Sequence, residues 1–290
     1  RTDAGSHFGL LGENTNFHIH DIEVPDNAVC RNIIGCEWGG TQVGGTGHPH
    51  NGRIENIHIG NITTPTYGGS GYAYAVWLSA AFNIHVENIT MGTGYGLLMA
   101  TRGDNANTYA PARYKSLVGT GITFDNLTIN SCYGYGLRVI GSNRSATLDN
   151  IPMSVKGRNL TVVGGKVGAN NNFGMNFEQC ADVSIQGINI SGAIAAGSST
   201  GTAVDRLHLR YGQIADAELF GASLGSGAVK TRDSSIRDIK FVRNNANAGG
   251  LPSTAAIYIQ ASEGCAVTEC TFGEEGGAET QKYSIAVTAD

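Results

Sequence analysis

The chain has 290 residues, a formal net charge of −5, only 15% charged side chains and 42 glycines. Glycine stands at about twice its average usage of roughly 7%, yet it comes with only 6 prolines and no strict triplet period, which excludes collagen. Patterned apolar residues, 41% of the chain, exclude a disordered one; with no basic block and no apolar run of membrane length, neither nucleic-acid binding nor a membrane span is expected.

In chain order, one phrase keeps returning: apolar, variable, apolar, a polar Asp or Asn, then a second alternating run. It appears as Asn16-Phe17-His18-Ile19-His20-Asp21-Ile22, then Arg53-Ile54-Glu55-Asn56-Ile57-His58-Ile59, then Asn83-Ile84-His85-Val86-Glu87-Asn88-Ile89. Later copies open at Ile122, Leu160, Val183, Ile214, Ile236 and Val267, and successive copies lie 22 to 38 residues apart. Between them runs a second family of alternating stretches. Its members are centred on Trp77, Leu98, Arg138, Asn176, His208, Lys230, Tyr258 and Ala286.

Period-two alternation predicts strands with one buried face. No stretch sustains a helical period. A unit this short cannot bury its own apolar face, so stability must come from stacking like units about 4.8 Å apart. The fold class predicted is therefore all-β, a single-stranded parallel β-helix over residues 1–290 as one domain. A β-propeller is disfavoured, because blades recur at about 40–50 residues and the shortest intervals here are far smaller. Recurrent Asn near the bends reads as turn chemistry that can form a ladder. That reading also accounts for the glycosylation-like triplets at Asn61, Asn88, Asn126, Asn159 and Asn189. The six cysteines lack zinc spacing and read as small buried side chains, with local pairing of Cys30 to Cys36 or Cys265 to Cys270 as the alternative. The final stretch, Tyr283 to Asp290, reads as a strand still in progress, so the chain is expected to be part of a longer one.

The coil Asn83-Ile84-His85-Val86-Glu87-Asn88-Ile89 and its copies resemble the pectate-lyase-like superfamily, which includes pectate lyases, polygalacturonase-type hydrolases and bacteriophage tailspikes. The resemblance covers nearly the whole chain. It implies a right-handed β-helix, a polysaccharide as ligand, an extracellular or virion-surface location and a homotrimer of the tailspike kind. Neither the Asn-Thr-Asp nor the Gly-His-Gly motif of the polygalacturonase type is present, so no catalytic residue is carried over.

On such a stack, a binding groove is expected along outward side chains of successive coils. Reading down the second family gives Trp77, Arg138, Asn176, His208, Lys230 and Tyr258 in one file and Glu178, Arg210 and Arg232 in the next. Cations gathered over four coils would attract an acidic glycan, while Trp77 or Tyr258 stacks on a sugar face. Two chemistries then compete. Hydrolysis needs two carboxyls, about 6.5–9.5 Å apart for inversion, and Glu178 with Asp205 or Asp233 is the expected set. Lyase chemistry needs a base, Lys230, Arg210 or His208, and a neutralising cation, Arg138 or Arg232. A non-catalytic glycan-binding adhesin or spike is the third reading. No metal site and no cofactor are expected: His48 and His50 lack a third ligand. Calcium remains open at Asp104, Asn105 and Asn107.

Overall fold

A computed structural model describes residues 6–11, 14–24, 32–37, 54–64, 74–79, 81–100, 121–132, 134–140, 151–164, 173–192, 197–202, 204–217, 220–225, 230–244, 255–273 and 283–288. Among these residues there is no helix. Strands associate into one long parallel sheet, in which each strand pairs with a strand of the same kind from the neighbouring repeat. Parallel neighbours cannot be joined by a tight hairpin, so the chain must travel round before it returns. It does so by alternating between two ladders.

The long ladder contains Ile54–Thr64, the first half of Ala81–Ala100, Ile122–Cys132, Ile151–Gly164, Cys180–Ser191, Asp205–Ala215 and Ser235–Val242. The short ladder contains Asn32–Glu37, Tyr74–Ser79, the second half of Ala81–Ala100, Tyr135–Ile140, Phe173–Glu178, Gly197–Thr202, Ala222–Leu224, Ala255–Gln260 and Tyr283–Thr288. Core residues line up between them in files. One runs Ile59, Val86, Phe124, Gly157, Ile185, Leu209 and Ile236; another runs Met91, Ile129, Val162, Ile190, Ile214 and Phe241. Apart from Gly157, whose place the ring of Phe124 occupies, these residues belong to one continuous apolar core.

Two bends in the long ladder are made by residues in the left-handed region. At the second bend stand Asp21, Asn61, Asn88, Asn126, Asn159, Gly187, Tyr211, Asp238 and Glu269, with φ between 52 and 69°. Asn and Asp tolerate this conformation better than other residues with a Cβ. Here they also bond from coil to coil. Asn61 Nδ2 donates to Asp21 Oδ1 (2.9 Å), Asn88 to Asn61 (3.1 Å), Asn126 to Asn88 (2.9 Å) and Asn159 to Asn126 (3.0 Å). The glycosylation-like triplets at these four positions are bend chemistry, as expected. Asn189 is the exception, because it sits on a strand two residues beyond its bend, opposite Thr161.

The repeat register differs from the sequence expectation. Ile185 stacks on Leu209, which stacks on Ile236, whereas Ile214 lies above Ile190 and below Phe241. Of the opening residues, Val183 pairs Leu207 and Leu160 pairs Ile188, so several copies were aligned by the wrong half of the phrase. The physical reason is that each phrase holds two apolar runs separated by the left-handed bend. Alternation alone cannot tell them apart. Register partners in successive coils lie from 21 residues apart, Tyr74 and Tyr95, to 42 residues apart, Asn32 and Tyr74.

Cys132 and Cys180 are buried, and burial pushes the Cys132 thiol up to about 12. Cys265 and Cys270 are free thiols donating to backbone carbonyls, not a disulfide. Cys30, His48, His50, Asp104, Asn105 and Asn107 lie outside the described residues.

Candidate functional site

The outward face of the short ladder carries an aromatic column. Tyr74, Tyr95, Tyr135 and Phe173 occupy one register position in four successive coils. Their ring centroids are 5.0 Å apart for Tyr74 and Tyr95, 6.2 Å for Tyr95 and Tyr135, and 5.9 Å for Tyr135 and Phe173, the last pair stacked. Sequence reading overlooked this column, although a signal exists: an aromatic, then a small residue, then an apolar one. It reads Tyr74-Ala75-Val76, Tyr95-Gly96-Leu97, Tyr135-Gly136-Leu137 and Phe173-Gly174-Met175. The middle residue must be small. A Cβ on Gly96 would sit 2.6 Å from Ile129 Cδ1, and one on Gly136 would sit 2.6 Å from the carbonyl oxygen of Gly174. Because Ala75 and Val76 are both core residues, Tyr74 and Trp77 share the outward face and meet edge to face at 5.8 Å. Together with Tyr95, Tyr135, Ile140 and Phe173 they form an apolar cluster separate from the core, in which Tyr74 and Tyr135 are buried, at 2% and 9% exposure, and the others partly so.

Arg138 is the polar centre of this face. Its guanidinium lies 4.3 Å from the centroid of the Tyr135 ring. Nε donates to Asn176 Oδ1 (3.1 Å) and Nη2 to Glu178 Oε1 (3.2 Å). Burial pulls the Arg138 guanidinium down, but Tyr135, Tyr74 and Glu178 together hold it above its ordinary value. Burial pushes the Tyr74 phenol well up, against the opposing pull of Arg138, so that hydroxyl stays neutral. Asn176 is only 3% exposed, whereas the Glu178 side chain is 36% exposed. The arrangement is a packed aromatic patch whose partly exposed members, Trp77, Tyr95 and Phe173, border a few fixed polar groups, a composition found at small-molecule and glycan sites.

The file predicted for this face is kept in part. Trp77, Leu98, Arg138 and Asn176 follow one another as expected, but the next members are Thr200 and Ser223, and Tyr258 follows these. His208 and Lys230 do not belong to it. His208 lies on the long ladder between Ser184 and Ser235, bonded through Nδ1 to the Ser235 hydroxyl at 2.8 Å. Its pKa is lowered by burial and by Arg210. Arg210 is two residues further along the same strand, between Gln186 and Arg237. Lys230 pairs with Glu263 at 3.5 Å, and Arg232 sits in register between Asp205 and Glu263. The five-cation row therefore does not form. The strands that continue the file instead are Gly197–Thr202, made of glycine and hydroxyl residues, and Ala222–Leu224, only 3 residues long, so neither shows a readable apolar alternation.

The carboxylates proposed for hydrolysis stand on different elements. Glu178 ends a short-ladder strand and is bonded to Arg138. Asp233 stands at a left-handed bend of the long ladder (φ 49°), where it and Asp182 both act on Arg206. Asp205 is buried at 6% exposure beside Arg232. The structure thus brings Trp77, Arg138, Asn176 and Glu178 together with four aromatic rings, places Tyr258 further along the same face, and leaves His208, Arg210, Lys230, Arg232, Asp205 and Asp233 elsewhere. No protein-family model, no curated protein and no solved structure matches the chain.

Proposed function

We propose that this chain is a right-handed parallel β-helix of the pectate-lyase-like kind that binds a polysaccharide along the outward face of its short ladder. The observation carrying the reading is the column Tyr74, Tyr95, Tyr135 and Phe173, flanked by Trp77 and by the Arg138 hub. A pyranose has one face of C–H bonds, which packs on aromatic rings, and an edge of hydroxyls, which bonds to fixed polar groups. The partly exposed Trp77, Tyr95 and Phe173 offer the first, and Arg138 with Glu178 the second, at the spacing of stacked coils. Arg138 is already answered by Glu178, so the ligand need not be acidic. The aromatic column speaks for binding first, and cleavage is the second reading.

A panel of neutral and acidic polysaccharides tests this by titration calorimetry, with reducing ends and unsaturated uronate followed in parallel. Binding to at least one glycan is expected, weakened at least about tenfold, or by roughly 1.4 kcal/mol, in Trp77→Ala. Undiminished affinity in that variant, or silence across the panel, sinks the assignment. Product release that survives in Glu178→Gln would exclude Glu178 as the catalytic acid.

A further inference from the structure

On the outward face of the long ladder, three histidines follow one another in a single file. His18, His58 and His85 occupy the same position of successive coils, followed by Thr123. The rings of His18 and His58 are 5.4 Å apart edge to face, and those of His58 and His85 are 5.2 Å apart. Glu87, two residues after His85, reaches both of the later rings. Its Oε1 lies 2.9 Å from His58 Nε2 and its Oε2 lies 3.4 Å from His85 Nε2.

We propose that His58, His85 and Glu87 form a binding site for a divalent first-row transition ion, of which zinc is the probe of choice, clamping two adjacent coils. The ligand-bearing atoms of all three lie within 4.8 Å of one another. Zinc bonds of about 2.0–2.2 Å in tetrahedral geometry put ligand atoms roughly 3.3–3.6 Å apart, so the rings close on the ion by small adjustments. Two imidazoles and a carboxylate suit zinc, nickel or copper; calcium would need six to eight oxygens.

Two further features support a built site. Nδ1 of His85 is bonded to the Thr123 hydroxyl (2.8 Å), which directs Nε2 toward Glu87 and is the outer-shell device that fixes a ligating imidazole. One coil before Glu87, in its own outward file, stands Gly60, and the space of a side chain there is taken by the glutamate. A Cβ at residue 60 would lie 3.2 Å from Glu87 Cγ and 3.6 Å from His58 Nε2. The three side chains are 33%, 41% and 34% exposed, so water fills the remaining coordination positions. The hydrogen bond to His58 and the one to His85 hold the Glu87 carboxyl below its ordinary value, leaving it ionised as a ligand must be.

The test is titration of the metal-stripped full chain with Zn²⁺, alongside thermal unfolding with and without the ion, and electron paramagnetic resonance with Cu²⁺. A stoichiometric site is expected, with two nitrogen donors on copper and a raised melting temperature in zinc. Glu87→Gln and His85→Ala should each weaken it at least about tenfold, and Thr123→Val by roughly tenfold; His20→Ala should leave it unchanged. Zinc affinity unaltered in Glu87→Gln, a copper spectrum without two nitrogens, or no binding tighter than about 1 mM overturns the proposal. Glu87→Gln is half-exposed and nearly isosteric, so its circular dichroism should match the parent and separate a lost ligand from a lost fold.

Discussion

Phe124→Ala is expected to destabilise the protein by about 3–5 kcal/mol, the cost of emptying a well-packed aromatic site. The reason is its neighbour. Phe124 is 2% exposed and stands in the same core file as Gly157, which follows it one coil later. A Cβ built on Gly157 would overlap the Phe124 ring, so one side chain fills the space of two rungs. Gly157→Leu alone should therefore also be destabilising, through overpacking, by about 1–3 kcal/mol or more. Combined, the two changes should compensate in part, with a coupling energy of about 1–3 kcal/mol read from urea unfolding of the four proteins. Strict additivity would show that the two residues are not in contact.

Arg138→Met should cost about 2–4 kcal/mol in thermal or chemical unfolding, more than any other single change on the outward face of the short ladder. The substitution keeps much of the aliphatic stem over Tyr135 but removes the charge from the ring and the donor from Asn176, whose amide is almost wholly buried. An amide oxygen left without that donor carries the desolvation cost that dominates such deletions. Glu178→Gln should cost less than about 1 kcal/mol, because its partner remains bonded elsewhere and the side chain is partly in water. A larger loss at Glu178 than at Arg138 would mean that the ion pair, not the stacked guanidinium, holds this face together.

Much of this architecture was legible because stacking multiplies a weak local pattern. Alternation around Ile57, Ile84 and Ile122 announced strands, and the repeated Asn announced the bends; both stand in the structure. Register was legible only where the short-ladder strand carried bulky residues. Arg138 over Asn176 followed from two strong strands, Tyr135–Ile140 and Phe173–Glu178. Where that strand is Gly197–Thr202, rich in glycine and hydroxyls, the stronger alternation lies in Arg206-Leu207-His208-Leu209-Arg210, which belongs to the other ladder. A misassignment of this kind puts His208 and Arg210 on the wrong ladder, while Tyr258 further on still falls on the predicted face. The histidine and glutamate cluster was hidden for a different reason. His58 lies 29 residues before Glu87, and the His85 and Glu87 pair alone, two residues apart, marks no site.

Disulfide trapping of paired cysteine variants tests the register, on which the aromatic face and the metal cluster both depend. Ser184 and His208 are register partners on adjacent strands, and neighbouring strands about 4.8 Å apart fall within the span a disulfide bridges. Ser184→Cys with His208→Cys should therefore cross-link rapidly under mild oxidation, as mapped by peptide mass spectrometry. Asn176→Cys with His208→Cys, the pair implied by alternation alone, should not. Rapid linkage of the second pair and failure of the first would contradict the two-ladder stack described here.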